Sequence, residues 1–328
     1  MRPAERERGA ALLTVLMLVA VIAVMAGGAL ERLRVSTRLA GNTAAAEQAR
    51  AYAYAAETLA TNKVTSLLAR DPSRVSLAGD WSGRPFGLPL PGGGFAVARV
   101  ADGGNCFNLN GLVVELEPGV YRSNGLAQLG FARLMRLIGV SGQAADTIAA
   151  SAADWIDTDQ DQQPSGAEDA TYLGRETPYR TSGTLMSDPS ELRAVNGMTP
   201  EIYATLKPWI CALPRTELSA INVNTLPPER AALIAMLVPE GLTVEAARQA
   251  LLRRPPQGYA TPDAFWKQVS LGGGGAGLGG QARTATTTTW FALAVDVTLG
   301  DAVIEEHALI DANRLPVRLV ARQWGDDS

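Results

Sequence analysis

Between Ala10 and Leu30 the chain carries no charged residue. That run of about twenty positions is the length a bilayer-spanning helix requires. Charge returns at once with Glu31, Arg32, Arg34 and Arg38, yet helix-compatible residues continue to about Leu68, with only Gly41-Asn42 as a weak spot. The pattern predicts one long helix over 10–70, transmembrane over 10–30 and polar and alanine-rich beyond, which Asp71-Pro72-Ser73 would end.

Alternating patterns follow. Phe95 to Val100 and Cys106 to Asn110 read as strands of a first sheet, split by the turn Asp102-Gly103-Gly104-Asn105. From Leu126 the period becomes helical: Leu126, Leu129, Leu134, Leu137 and Ile138, then Ile148, Ala152 and Ile156. A further helical piece is predicted over 191–211, with Pro200 opening its second half, and a pair over 228–237 and 244–252. Strand signals return over 290–299, 302–311 and 317–324, as an antiparallel meander that completes the first sheet. The fold class is therefore α+β: a long N-terminal helix and an antiparallel sheet, with an inserted all-α domain. The expected parts are 71–119 (first part of the sheet domain), 120–215 and 216–272 (two helical modules) and 273–328 (the meander).

Composition narrows the function. Twenty-nine basic residues against 33 acidic ones, net −4, leave no nucleic-acid footprint. One His and two Cys supply little for metal-thiolate or histidine chemistry. His307, beside Glu305 and Glu306, has no nucleophile motif near it, and the sequence displays no catalytic site. Gly275 to Gly280 matches G-x-G-x-x-G only formally, because no strand enters it and no helix leaves it. Cys106 and Cys211, in a domain that reads as exported, point to a disulfide, with two buried thiols as the alternative.

The chemistry-bearing segment is acidic. Asp157, Asp159 and Asp161 alternate like the first ligands of an EF-hand loop, and Glu168 stands at the twelfth position. Gln162 replaces the glycine of that loop and Pro164 is foreign to it, so this is not an EF-hand. Hard oxygen donors nevertheless crowd one turn-forming stretch, with Asp154 before it and Asp169 after it. Such a set suits calcium better than magnesium, and a solvated acidic loop is the alternative.

Two segments, Ser190 to Thr199 and Ile221 to Glu229, resemble helix-hairpin-helix modules, with capping chemistry at the Asn-Thr and Pro positions. Neither has the Gly-x-Gly hairpin of DNA-binding examples, and only Arg248, Arg253 and Arg254 suggest a basic patch. A packing module for protein contacts is expected. A membrane-anchored DNA-binding or DNA-uptake protein is the alternative.

The leader is specific. A short charged head ending in Gly9, then Ala10-Ala11-Leu12-Leu13-Thr14, resembles the class III signal of type IV pilins and type II secretion pseudopilins. That resemblance implies cleavage by a prepilin peptidase after Gly9, which makes 1–9 a removed leader, and methylation of Ala10. A cleaved secretory signal, with Ala23 to Ala26 as its cleavage site, and a plain membrane anchor with no cleavage are the alternatives. Most members carry Glu at the fifth mature position, where this chain has Thr14. A carboxylate in lipid is costly without a cationic partner, so a subunit with no neighbour ahead of it needs none. Together with the Asp-Trp-Ile-Asp…Gly-Ala-Glu-Asp run, this resembles the GspK family of minor pseudopilins. The resemblance implies a pilin-like fold with a calcium-binding insert and a single-pass protein of the bacterial inner membrane, its bulk in the periplasm. It also implies a place at the pseudopilus tip with GspI and GspJ, adjoining GspH and the major pseudopilin GspG. Protein recovered from cells with active prepilin peptidase should begin at methylated Ala10 by intact mass, whereas a start near Gly27 would mark an ordinary signal peptide.

Overall fold

The computed structural model describes residues 3–91, 93–238, 241–271 and 278–325; Met1, Arg2 and positions 275–277 of the glycine match lie outside the described residues. Helix α1 runs unbroken over Pro3–Arg70, so the charged head is helical as well. Ala10 to Ala44 are exposed along it, and it is the one described helix long and apolar enough to cross a membrane. Packing begins at Ala49. Ala49, Ala53, Ala56, Ala60 and Val64 recur on one face and are buried. Their small side chains let the helix lie close to the sheet. Asp71 ends the helix by accepting from Ser73 and Arg74.

The sheet draws on both ends of the remaining chain. Strands β1 (Phe86–Pro89) and β2 (Phe95–Asp102) precede a long excursion. Along that excursion lie β3 (Phe107–Asn108), β4 (Val113–Glu117), β5 (Val120–Ser123), α2 (Gly125–Leu137), α3 (Gly142–Ile156) and α4 (Asp169–Leu173). Next come α5 (Pro200–Leu206), β6 (Ile210–Cys211), β7 (Ile221–Asn222), α6 (Ala232–Ala235), α7 (Val244–Leu252), α8 (Pro262–Leu271), α9 (Leu278–Ala282) and β8 (Thr284–Ala285). Then β9 (Trp290–Leu299), β10 (Ala302–Asp311) and β11 (Arg318–Trp324) finish a five-stranded antiparallel sheet in the order β1-β2-β9-β10-β11. The long helix, antiparallel sheet and inserted helical region are those the sequence predicts.

One strand departs from expectation. Cys106 to Asn110 does not join this sheet; β3 pairs in parallel with β6. The reason is the turn at Gly103, where a Cβ would stand 2.8 Å from the Ala292 nitrogen. The chain hugs β9 there and then leaves the sheet plane. Two separate cores result. One lies between α1 and the sheet and includes Val100, Phe291, Leu293, Val295 and Ile310. The other starts at Phe107 and fills the insert around Phe131, Ile148, Tyr172, Phe265 and Trp266.

Asp102 and Phe291 are register partners, so the insert leaves and rejoins the sheet at the same end. Val75, just past the end of α1, donates to the Thr286 carbonyl (2.8 Å), and its own carbonyl accepts from Asn222 Nδ2 (3.0 Å). The insert therefore sits at the end of α1 remote from the apolar half.

Among the described residues, two acids are buried where α1 meets the sheet, Glu57 and Glu306. Glu306 alternates with Ala308 and Ile310 on the face turned to α1, and it is 1 % exposed. Arg322 pairs with Glu57 of α1 and lies 3.4 Å from Glu306. Burial, then the neighbouring Glu57, push the Glu306 carboxyl upward, so the folded state holds a proton there. A raised folded-state value means the site is neutral at no cost below the unfolded value near 4.5 and costs stability as pH rises above it. Glu306→Gln should accordingly raise Tm by about 2–4 °C at pH 8 and by nothing near pH 4, measured by circular dichroism of the detergent-solubilised chain.

Candidate metal centre

Asp154 and Asp157 stand one helical turn apart at the end of α3, Asp157 as its C-cap. The chain then makes an excursion through Asp159 and Asp161 and returns at Glu168, the N-cap of α4. Asp154, Asp157 and Glu168 each direct a carboxylate oxygen to a common point, all within 4.8 Å of one another. All three are buried.

The loop is shaped around Asp154. Its oxygens accept from the Gln163 amide at 3.4 and 3.2 Å. Ser165 takes a left-handed φ of 68°, and Gly166 follows. A Cβ on Gly166 would come 2.0 Å from Asp154 Oδ2, so only glycine permits this approach. Asp157 Oδ2 accepts from Ser123 of β5 at 2.7 Å, which ties a third element to the site. Trp155 packs edge-on to Tyr172 (5.4 Å between centroids), and Tyr172 accepts from the Asn196 amide at 3.1 Å. These rings hold the end of α3 against α4.

Three buried oxygens of this cluster have no hydrogen-bond partner among the described residues: Asp157 Oδ1 and both oxygens of Glu168. Burial, reinforced by the neighbouring acids, pushes the carboxyls up to about 7 for Asp154, about 6 for Asp157 and about 8 for Glu168. Orphaned oxygens and mutually raised acids are what a bound cation relieves, so the donor set fits a divalent metal. With hard oxygen ligands only, such an ion would staple the end of α3 to the start of α4.

The other expected ligands are placed differently. Asp159 and Asp161 are exposed, with Asp159 Oδ1 accepting from the Asp161 amide (2.9 Å). Asp159 is near enough to raise all three buried acids. Asp169 is not part of the cluster, because its carboxylate is taken by the Thr181 amide and hydroxyl (3.0 Å each) and by Arg180. Ser123 and Gly166 had no motif to announce them as part of the site. A glycine three residues ahead of Asp169 is visible in the sequence, but the clash that requires it is not.

Cys106 and Cys211 form a disulfide (Cα–Cα 5.8 Å). It lies beside the β3–β6 pair, so both its ends belong to the insert and it does not reach the first sheet. The hairpin basics do not form a patch. Arg254 donates to the Val223 and Leu226 carbonyls (3.0 and 2.9 Å), Arg248 leans on Glu245 (3.7 Å), and Arg253 points to solvent. Thr14 is exposed on α1, its hydroxyl turned back on the Ala11 carbonyl at 2.9 Å, so it brings no unsatisfied donor into an apolar segment. Gly9 and Ala10 lie within the same helix.

Residues 105–215 and 221–287 each match a family described as type II secretion system (T2SS), protein K. The type II secretion system protein K of Klebsiella pneumoniae is 34 % identical over 98 % of this chain and 97 % of its own length. The chain belongs to the type II secretion system protein K family. The family member of Pectobacterium carotovorum subsp. carotovorum is 31 % identical, again over 98 % of this chain and 97 % of its own length. Among solved structures, the fold is similar to a chain of the GspK-GspI-GspJ complex from the enterotoxigenic Escherichia coli type 2 secretion system. TM-score is 0.73 and identity 30 %, over 86 % of this chain and 97 % of that one. Proteins of this family are structural components of a secretion machine, not enzymes.

The raised acids give the centre a pH signature. Their folded-state values exceed the unfolded ones, so without a cation the centre's own contribution to stability is greatest below about pH 4 and falls as pH rises toward 8. Calcium at about 100 times its Kd should restore roughly 2.7 kcal/mol at pH 8 and little at pH 4. Calorimetric unfolding with calcium or with chelator reads both arms, and Glu168→Gln should abolish most of the difference.

Proposed function

We propose that this chain is the minor pseudopilin at the tip of the periplasmic pseudopilus, where it starts assembly of the filament that drives folded proteins across the outer membrane. The observation that carries the reading is the position of the insert. It roots at the end of α1 remote from the apolar segment, through Val75, Asn222 and Thr286. A bulky domain there leaves no room for another subunit to stack beyond it, while the exposed length of α1 from Ala10 to Ala44 stays open to helices behind it.

Thr14 supports the same placement, since a leading subunit has no neighbouring N-terminal amine to meet. On this reading the prepilin peptidase removes 1–9 and methylates Ala10. Residues 10–30 hold the protein in the inner membrane as a single pass, with the bulk in the periplasm. GspI and GspJ are its immediate partners, as they accompany the solved relative, with GspH and the major GspG following. The ion at Asp154, Asp157 and Glu168 is calcium, a structural staple suited to flexible all-oxygen coordination. The two helical modules serve protein contacts and not DNA.

Immunogold against the insert, on pseudopili sheared from cells that overproduce the major subunit, should label one end of each filament. Label distributed along the shaft would overturn the tip assignment while leaving family membership untouched.

A further inference from the structure

Just beyond its apolar run, α1 carries Arg32, Arg34 and Arg38, and no acidic residue occurs between Glu31 and Glu47. All three arginines are exposed. Arg34 reaches Glu31 only at 3.9 Å, with both side chains at least 70 % exposed. Arg32 and Arg38 have no ion-pair partner among the described residues. At 100° per residue, Arg34 and Arg38 share one side of the helix and Arg32 lies toward the other, so the charges stand on two sides of it. The position is fixed by length. About twenty apolar residues at 1.5 Å each span roughly 30 Å, the thickness of a bilayer's hydrocarbon, and the next turns fall among the lipid phosphates.

One face of the helix grades from apolar to cationic at this level. Met25, Ala29, Arg32, Leu33 and Ser36 line a shallow open groove. Its apolar end suits an acyl chain, and its guanidinium and hydroxyl end suits a phosphodiester.

We propose that Arg32, Arg34 and Arg38 form a binding belt for the headgroup phosphates of anionic phospholipids, which fixes the depth of α1 in the membrane. The guanidinium fork matches two phosphate oxygens at once, and the stem of each arginine can lie along the apolar surface while its head reaches the interface. The net positive charge of the belt favours phosphatidylglycerol over zwitterionic lipids. Release of these phosphates then accompanies any outward movement of the subunit. This proposal rests on the reading of α1 as a membrane anchor, and its test separates the two.

The full-length chain with Leu30→Trp, placed at the edge of the apolar run, is reconstituted in vesicles of dibrominated phosphatidylglycerol mixed with unbrominated phosphatidylcholine. A second series reverses the bromination. Retention through an alkaline carbonate wash establishes the anchor independently of the arginines. Quenching of the new tryptophan should show phosphatidylglycerol preferred by about fivefold or more, the effect expected of one juxtamembrane basic residue. The preference should fall to about one in the Arg32→Gln, Arg34→Gln, Arg38→Gln triple variant, which leaves the soluble domain untouched. Equal quenching by the two lipids in the parent chain, or a preference that survives the triple substitution, overturns the belt while the anchor stands. Arginines reserved for carboxylates of a neighbouring helix would give the first of these results. A chain that washes off in carbonate overturns both.

Discussion

The seating of the insert on the helix–sheet body depends on a buried polar junction. Asp102, the last residue of β2, accepts from the hydroxyls of Thr225 and Thr288. Thr225 in turn accepts from Asn105 (2.9 Å), and Asn105 accepts from the Asn222 amide (2.8 Å). Asn222 spans the gap, donating to the Val75 carbonyl of the helix–sheet body and to the Thr288 hydroxyl in the link between β8 and β9. A chain that leaves a sheet and comes back beside itself exposes backbone groups that neither core can satisfy, and amide side chains with two-sided chemistry fill that need. Burial pushes the Asp102 carboxyl upward even against these donors. Loss of one member would strand the others, so the orientation of the insert is set by the network as a unit.

Two groups of buried acids are handled by opposite means. Glu57 and Glu306 share a cation supplied by the chain itself, Arg322, and the site is internally complete apart from one oxygen of Glu306. Around Asp154, Asp157 and Glu168 no lysine or arginine approaches as an ion-pair partner among the described residues, and three oxygens are left open. The first arrangement locks α1 to the sheet with a cation of its own, at a cost that grows as pH rises. The second makes the cohesion of the insert depend on what the surrounding compartment contains. An ion taken from outside the chain can relieve such a set without a compensating charge built into the core.

Periodicity made the long helix, the final meander and the helical character of the insert legible, because each buries one regular face. The acidic run was legible as a cluster, and positions 157 and 168 do meet, as an EF-hand spacing suggests. What could not be read was which oxygens converge. That is decided by the close approach of Gly166 to Asp154 and by the competing claim of Arg180 and Thr181 on Asp169, both properties of the folded loop. The strand at Cys106 to Asn110 carried a correct local pattern but the wrong sheet, since its partner at Ile210 is supplied by chain more than a hundred residues away. Glu306 was invisible for a similar reason: its place in the α1-facing row was predictable, but the arginine that makes it tolerable sits on the next strand.

The disulfide has a mechanical meaning. Cys106 and Cys211 close a loop with a sequence separation of 105, which contains α2, α3, α4, α5 and the whole acidic centre. Tension that enters the insert from the sheet at Gly103 meets the sulfur bridge first and crosses to Cys211 and onward to β7. The looped segment lies off that line. A pull on the insert is thus carried through a short covalent strut, while the helices of the acidic centre ride beside it unstretched.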